Sequence, residues 1–330
     1  MRTLALSLAA STALLIVAVV LASLLGSEPI SLVRGLMDSG SVDHAILFDV
    51  RLPRIALAAL AGGGLAVVGA AFQAILRNPL AEPYVLGVSG GAAFGATVAI
   101  VLGAGWIGAW GAALIPASAL VGGLLATALV YVIAGAGSEP SGTSILLAGV
   151  IVNAIAGALI TAIKTLVSAS KAQELLFWLM GFIDVPSSAT LLFISSYVVV
   201  GMVVLLADAG RMNLLSLGDE SAQHLGVNVR SLERRVFLAC SVVVGAIVSV
   251  TGLIGFVGLV VPHAIRRLVG PDHRVLLPTS LVAGAGMLVL CDMLARASFQ
   301  WLGTEPPVGA VTALVGGPVF LVLLRKRGGE

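Results

Sequence analysis

Long uncharged stretches alternate with short charged connections along almost the whole chain. A helix that crosses the hydrocarbon core of a bilayer needs about 20 mostly apolar residues. Stretches of roughly this kind lie at 4–26, 55–76, 85–108, 110–136, 144–163, 189–207, 236–265, 275–291 and 307–324. Because only helices of this type satisfy their own backbone in lipid, the pattern predicts an all-α, polytopic membrane protein.

One stretch, 236–265, is too long for a single crossing. As one helix it would measure about 45 Å, against a hydrocarbon core of about 30 Å. Its second half is rich in glycine and includes Gly252, which weakens a helix. We therefore predict a break near Thr251, with a full helix before it and a short one ending near Arg267. The count becomes about ten transmembrane helices.

Basic residues support this count, because cytoplasmic loops of membrane proteins carry an excess of Lys and Arg. An even number of spans places both termini on one side, which we predict to be the cytoplasm. The cytoplasmic loops then hold Arg2, Arg77, Arg211, Arg230, Arg234, Arg235, Arg266, Arg267, Arg274, Arg325, Lys326 and Arg327. The opposite, outer face holds half as many: Arg34, Arg51, Arg54, Lys164, Lys171 and Arg296.

The first apolar stretch follows Arg2 directly and so resembles a secretory signal peptide. Its length of about 20 apolar residues exceeds the usual 7–15 of such a segment. We therefore predict a retained first helix and a single transmembrane domain over 1–330.

The amino-acid composition excludes several other classes of protein. The hydrophobic set makes up 59% of the 330 residues and charged residues only 10%, where soluble domains carry about 25% charged residues. This excludes a soluble globular domain and a disordered chain. The net charge of +2 gives no basis for binding nucleic acid. Cys240 and Cys291 lie inside apolar runs without metal-ligand spacing, so we predict neither a disulfide framework nor a metal site.

The sequence carries no strong catalytic motif. No lysine follows a glycine, so a Walker A loop is absent and the chain itself is predicted not to hydrolyse ATP. The stretch 87–90, Gly-Val-Ser-Gly, matches a pattern found around some membrane serine nucleophiles. However, every histidine falls in or beside a loop, so no base lies at the depth of Ser89. We interpret Ser89 as a packing residue and predict that the chain is not an enzyme.

Few charges lie inside the predicted spans, which argues against an ion-coupled carrier. Asp292 lies near the outer end of the ninth span, and Arg296 follows four residues later. The two share a helix face and are predicted to form a structural ion pair. A stand-alone secondary transporter or channel is the alternative function, and neighbouring genes for an ATPase and a binding protein would argue against it.

Arg51, Arg54 and Arg296 lie on the outer face, against the usual charge bias. An outward cationic cluster suits an acidic docking partner. The alternative is that these arginines extend to lipid headgroups.

The longest cytoplasmic connection, about 208–234, contains two acids, Asp219 and Glu220, between two glycines. Acids at its start favour a short helix. A helix at the membrane surface would suit a soluble partner, although an inert loop explains the segment equally well on physical grounds.

Ordered motifs run through most of the chain. They include Arg51-Leu52-Pro53-Arg54, Gln73, Arg77-Asn78-Pro79-Leu80-Ala81-Glu82-Pro83, Leu86-Gly87-Val88-Ser89-Gly90-Gly91-Ala92, Leu217-Gly218-Asp219-Glu220, Gly255-Phe256-Val257-Gly258-Leu259-Val260-Val261-Pro262-His263, Asp272-His273-Arg274 and Gly316-Gly317-Pro318. Over about 50–325 they resemble the FecCD family, the permeases of type II ABC importers for iron-siderophores, haem and vitamin B12.

The resemblance implies ten helices per subunit and a homodimer around a central translocation path. It also implies two ATP-binding cassette subunits that use ATP-Mg, while this chain binds no cofactor. A periplasmic or lipid-anchored binding protein would deliver the ligand. The implied location is the bacterial inner membrane, with lipid around the helices.

The resemblance also assigns roles to residues. Arg51, Arg54 and Arg296 would receive acidic residues of the binding protein. The ATPase coupling segment would comprise Leu214, Leu217, Gly218, Asp219, Glu220, Ala222, Leu225 and Gly226. Ser141, Thr143 and Ser144 would form a cytoplasmic gate, although Gly142 stands where relatives can carry a hydroxyl. A short outer helix is expected within 164–187.

The resemblance predicts the cargo only from how common each kind of permease is within the family. An iron(III) chelate is the first expectation, vitamin B12 the second and haem the third. No cluster of methionine or tyrosine and no cationic interior separates them.

Overall fold

The computed structural model describes residues 2–103, 109–135 and 142–325, and all regular structure in these ranges is helical. The α-helices are α1 (Arg2–Leu24), α2 (Leu32–Met37), α3 (Val42–Ala45), α4 (Leu52–Ile75), α5 (Val88–Val101), α6 (Ala109–Ala134), α7 (Gly142–Leu166), α8 (Ala169–Met180), α9 (Ser188–Leu215), α10 (Asp219–His224), α11 (Val229–Thr251), α12 (Val257–Val269), α13 (His273–Ala297), α14 (Phe299–Leu302) and α15 (Val308–Arg325). A π-helical stretch, Ile46–Arg51, joins α3 to α4, and a 3₁₀ turn, Pro83–Leu86, precedes α5.

The prediction of about ten membrane helices is confirmed. Seven described segments are long and apolar enough to cross a membrane; they correspond to α1, α4, α6, α7, α9, α11 and α13. Two shorter apolar helices, α5 and α15, and the short helix α12 after the predicted break bring the described number to ten. Following the predicted orientation, we call the end that carries Arg51 the outer face and the end that carries Asp219 the cytoplasmic face.

The predicted helix break lies where the glycines placed it. Helix α11 ends at Thr251, and Gly252 adopts a positive φ of 65°. A side chain at Gly252 would also overlap the carbonyl oxygen of Trp178, so glycine is needed there for both reasons. The carbonyl of Thr251 accepts a hydrogen bond from the Phe182 N–H at 2.9 Å, which fixes the end of α11 to the segment after α8.

Helices α5 and α12 have 14 and 13 residues, so each is only about 20 Å long and shorter than the hydrocarbon core. The segments that lead into them contact each other. The Glu82 carboxylate accepts from the Phe256 N–H at 2.8 Å, and the Tyr84 hydroxyl accepts from the Ile254 N–H at 2.9 Å. These contacts satisfy backbone groups that have no helical partner, as irregular backbone in a membrane bundle requires.

Asn153 of α7 completes this junction. Its amide nitrogen donates to the Tyr84 carbonyl at 2.6 Å, and its amide oxygen accepts from the Gly90 N–H at 3.0 Å. Ser89 donates its hydroxyl to the same Tyr84 carbonyl at 2.7 Å. Ser89 therefore has a structural role here, in line with its interpretation as a packing residue.

Helix α4 lies at the centre of the bundle and packs against α9, α11, α12 and α13. Small residues allow close approach, as they do in other membrane bundles. A methyl group at Gly62 would overlap the carbonyl oxygen of Gly284 on α13, and one at Gly69 would overlap that of Gly258 on α12. These glycines of α4 therefore serve close packing between helices.

Candidate functional site

Two of the three outer arginines, Arg54 and Arg296, meet around one carboxylate. Arg54 Nε donates to Asp292 Oδ1 at 3.0 Å, and Arg296 Nε donates to Asp292 Oδ2 at 3.0 Å. Arg54 also pairs with Glu305 at 3.1 Å. The predicted ion pair between Asp292 and Arg296 is confirmed, and the structure adds Arg54 as a second partner.

Arg51 and Arg296 hold the end of α1. Arg51 Nη1 donates to the carbonyls of Ser23 and Leu24 at 2.6 and 3.0 Å, and Arg296 Nη2 donates to that of Ala22 at 3.1 Å. The last carbonyls of a helix lack partners within it and carry partial negative charge. The two guanidinium groups therefore cap the C-terminus of α1.

This arrangement buries the proposed docking residues. Arg51, Arg54 and Arg296 are 3%, 9% and 4% exposed, and Asp292 is fully buried. The structure thus brings the three arginines together on the outer face but does not display their charges outward. Their docking role stays a prediction, and direct contact with a partner would require the chain around Gly26, which lies against two of the guanidinium groups, to move.

Helix α7 is buried along one stripe only. Ile145, Ala148, Val152 and Ala156 face the bundle, whereas the opposite side is exposed and carries aliphatic residues together with Thr143, Thr161 and Thr165. On this side Gly157 has no neighbouring atom within 4 Å of the position that a side chain would occupy. A membrane helix with an apolar and hydroxyl-bearing outer side can face lipid, a second chain or a translocation path.

The proposed gate lies at the cytoplasmic end of α7. Thr143 is exposed and Ser144 is half-buried. Ser141 lies outside the described residues. The structure thus places two of the three gate residues at the start of the exposed helix.

The short cytoplasmic helix predicted within 208–234 forms as α10. Ala222 is buried beneath it, while Leu217 and Leu225, just before and after it, are 62% and 57% exposed. Asp219 and Glu220 occupy its first turn, where acids are favourable. Among the remaining coupling residues, Leu214 is half-buried on α9, and Gly218 and Gly226 have positive φ. The flanking leucines form two exposed apolar points on the cytoplasmic face.

Both ends of the predicted connection 208–234 are helical, because α9 extends to Leu215 and α11 begins at Val229. Within this part of α9, Asp208 is buried and paired. Its carboxylate accepts from Arg211 at 2.5 Å and from Arg235 of α11 at 3.0 Å. A helix can continue past its apolar stretch when a charged residue in it is paired. The uncharged stretch 189–207 therefore gave too early an end for this helix.

Asn213 braces the same region onto α13. Its amide nitrogen donates to Asp272 at 2.6 Å, and its amide oxygen accepts from the His273 N–H at 2.8 Å. The first of these hydrogen bonds lowers the pKa of the Asp272 carboxyl, against the opposing effect of burial. The stabilisation from this depressed pKa is present at neutral pH and is lost as the pH falls through it.

We expect Asp208→Ala to destabilise the protein by about 1–2 kcal/mol. This is less than for a fully buried pair, because both arginines are about half exposed and can be solvated. The loss of stability is measured by thermal unfolding of the detergent-purified chain. The control is Glu220→Ala, which removes an exposed acid. Equal melting temperatures for the two variants would contradict the bracing role.

A contact that the sequence did not reveal joins α10 to α4. Arg77, which follows α4 with a positive φ, forms an ion pair with Asp219. The two residues are 142 positions apart, so no local pattern links them. Beside the pair lies a cavity of about 470 Å³ whose lining also includes Thr143, Gln223 and Glu233. The predicted coupling segment, the end of α4 and Thr143 of the predicted gate therefore share one cavity.

Metal ligation has no candidate in the described part of the chain, where no three His, Cys, Asp or Glu side chains come close enough to hold an ion. Both cysteines are buried and free.

Similarity to known proteins extends over most of the chain. The family model of the FecCD transport family matches residues 14–326. The cobalamin import system permease protein BtuC of Halobacterium salinarum is 44% identical over 86% of this chain and 74% of its own length. The hemin transport system permease protein HmuU of Yersinia pestis is 38% identical over 86% of this chain and 84% of its own.

A solved structure of a metal-chelate type ABC transporter in an inward-facing conformation is also similar. It has a TM-score of 0.85 and 33% identity, and the match covers 98% of this chain and 99% of that one. Further relatives are named for import of Fe(3+)-citrate and of molybdate. The cargoes named among these relatives therefore differ widely in size and charge.

Proposed function

The chain belongs to the FecCD transport family of ABC importer permeases, and on this premise we propose that two copies form a central path for a metal chelate or corrinoid entering the cytoplasm. The observation that carries the proposal is α10 with its exposed leucines on the cytoplasmic face. An exposed helix flanked by apolar anchors suits a groove on a soluble partner. We propose that this partner is an ATP-binding cassette subunit, which uses ATP-Mg, while the permease binds no cofactor of its own.

The homodimer would place the exposed side of α7 toward the path. Its aliphatic and hydroxyl side chains offer weak contacts to a passing ligand, and Thr143 and Ser144 at its cytoplasmic end would form the gate. The ion pair between Arg77 and Asp219 links α10 to the end of α4 beside this gate. Movement of α10 would therefore be transmitted to the cytoplasmic opening of the path.

The transport cycle follows from differential binding. ATP must favour one arrangement of the helices and loaded binding protein another, since a ligand shifts an equilibrium only by its difference in affinity for the two states. A periplasmic or lipid-anchored binding protein would select the cargo and dock on the outer face near the α1 end held by Arg51 and Arg296. The protein is a multi-pass membrane protein, and we propose the bacterial inner membrane with both termini cytoplasmic.

An iron(III)-siderophore, cobalamin or haem remains the proposed cargo. Cobalamin gains support from the relative that is 44% identical and named for cobalamin import. The relatives named for haem and Fe(3+)-citrate keep the other classes open.

The decisive experiment is reconstitution of the chain with its candidate ATPase in lipid vesicles. Uptake and ATP hydrolysis are measured with and without binding protein, with ferric siderophore, cobalamin and haem offered in turn. We expect one cargo to accumulate only when both ATP and binding protein are present. Solute movement without any ATPase complex would instead favour the stand-alone secondary transporter or channel.

We expect Leu217→Asp with Leu225→Asp to uncouple transport. Loss of both apolar anchors should lower ATP-driven uptake at least about tenfold, because each buried leucine contributes roughly 1.5–3 kcal/mol at an interface. The chain should still fold, since both side chains are exposed. Leu102→Asp, at an exposed leucine beyond the C-terminal end of α5, is the matched control. Undiminished uptake in the double variant would place the coupling site elsewhere.

A further inference from the structure

A cavity of about 530 Å³ opens on the outer face between α8, the end of α11 and the segment before α15. We call it the outer vestibule and define it by Glu174, Phe177, Trp178, Phe182, Asp184 and Glu305. It combines an aromatic wall with carboxylates.

The aromatic wall is held in place by the backbone around it. The rings of Phe177 and Phe182 lie 5.9 Å apart at an angle of 56°. The Phe182 N–H donates to the carbonyl at the end of α11, and the carbonyl of Trp178 lies against Gly252. Phe177 is nevertheless 47% exposed. The wall is thus a preformed apolar surface that the described residues leave partly exposed.

The carboxylates leave the outer vestibule negatively charged. Glu305 is paired with Arg54 at 3.1 Å. Glu174 and Asp184 are exposed, and no ion pair to either occurs among the described residues. Lys171, one turn before Glu174 on α8, donates its ammonium group to the carbonyl of Val101 at 2.6 Å, at the end of α5. Two carboxylates without an ion pair among the described residues therefore flank the aromatic wall.

We propose that the outer vestibule binds cargo that is neutral or cationic and has a broad apolar face, and that it disfavours multiply anionic chelates. The inference rests on the proposed function and narrows its cargo. Aromatic rings stack on flat apolar surfaces and attract cations, while carboxylates in a cleft repel anions. Among the cargoes named for relatives, a neutral corrinoid fits this chemistry, and ferric citrate and molybdate do not.

The test measures binding by the full chain in lipid nanodiscs, without binding protein. The probes are radiolabelled cyanocobalamin, which is neutral, and ferric citrate, which is anionic. We expect preferential binding of cyanocobalamin. Phe177→Ala should weaken it about tenfold, and Glu174→Lys with Asp184→Lys should shift the preference toward ferric citrate by about tenfold or more.

The matched control is Asp49→Lys, at an exposed acid on the outer face that does not line the vestibule. It should leave the preference unchanged. The proposal is overturned if the unmodified chain binds neither probe, if it prefers ferric citrate, or if the lysine variants behave like the control. Because the proposed function is tested separately by ATP-driven uptake in the reconstituted complex, the two can fail independently.

Discussion

Replacing Asp292 with alanine is expected to destabilise the protein by about 3–5 kcal/mol, because it leaves the buried Arg54 and Arg296 without their shared carboxylate. Both guanidinium groups are almost inaccessible to solvent. Arg296 also helps to cap α1, so the outer end of α1 should loosen. The measurement is thermal unfolding of the detergent-purified chain, together with protease accessibility of the segment after α1.

Asp292→Asn separates charge from shape, since the amide keeps the size of the side chain but removes its charge. We expect it to be destabilising as well, though less than alanine. Asp38→Ala, at an exposed acid on the outer face, should melt like the unmodified protein. An Asp292→Ala variant that melts normally would show that water or lipid compensates the charges of the two arginines. The ion pairs of Asp292 would then not be needed for the stability of the fold.

The stability of the Asp292 variants decides how docking of a binding protein must be measured. If the cluster is structural, glutamate substitutions at the three arginines will reduce folding as well as any affinity for a binding protein. Docking must therefore be measured on the correctly folded fraction, isolated by size-exclusion chromatography. Normal affinity in folded Arg51→Gln protein would remove Arg51 from the docking surface.

Gly69→Ala is expected to have a comparably large effect, at or above about 3 kcal/mol. The added methyl group would overlap the backbone carbonyl of Gly258 on α12. A backbone atom cannot rotate away, so α4 and α12 must separate, and this places the cost at the upper end for overpacking. Folded yield in membranes and the melting temperature measure the effect, and uptake should fall with the folded fraction.

Gly157→Ala on α7 is the matched control, since the same chemical change meets no atom within 4 Å. It should fold normally and can even gain stability from the higher helix propensity of alanine. If both variants fold equally well, close approach between α4 and α12 is not a requirement of this bundle. If Gly157→Ala folds but transports poorly, the exposed side of α7 gains support as part of the path.

The sequence by itself determined the features that depend on local chemistry. Apolar length predicts the spans, and the glycines after Thr251 predict the break that separates α11 from α12. The i,i+4 spacing of Asp292 and Arg296 predicts their ion pair, and acids beside Gly218 predict a short helix. Each of these rests on a continuous stretch of sequence or on residues a few positions apart, so no tertiary contact is needed to infer it.

Only the tertiary structure decided which groups far apart in sequence meet. It buried the outer arginines against the end of α1, paired Arg77 with Asp219, and joined Glu82 to the start of α12. Each of these contacts links helices separated by tens to hundreds of residues. Hydropathy and local spacing carry no information about such partners, because in lipid the choice of neighbour depends on close packing and polar pairing between whole helices. For the same reason, only the tertiary structure showed the aromatic and acidic lining of the outer vestibule, which forms where the end of α8 meets the end of α11.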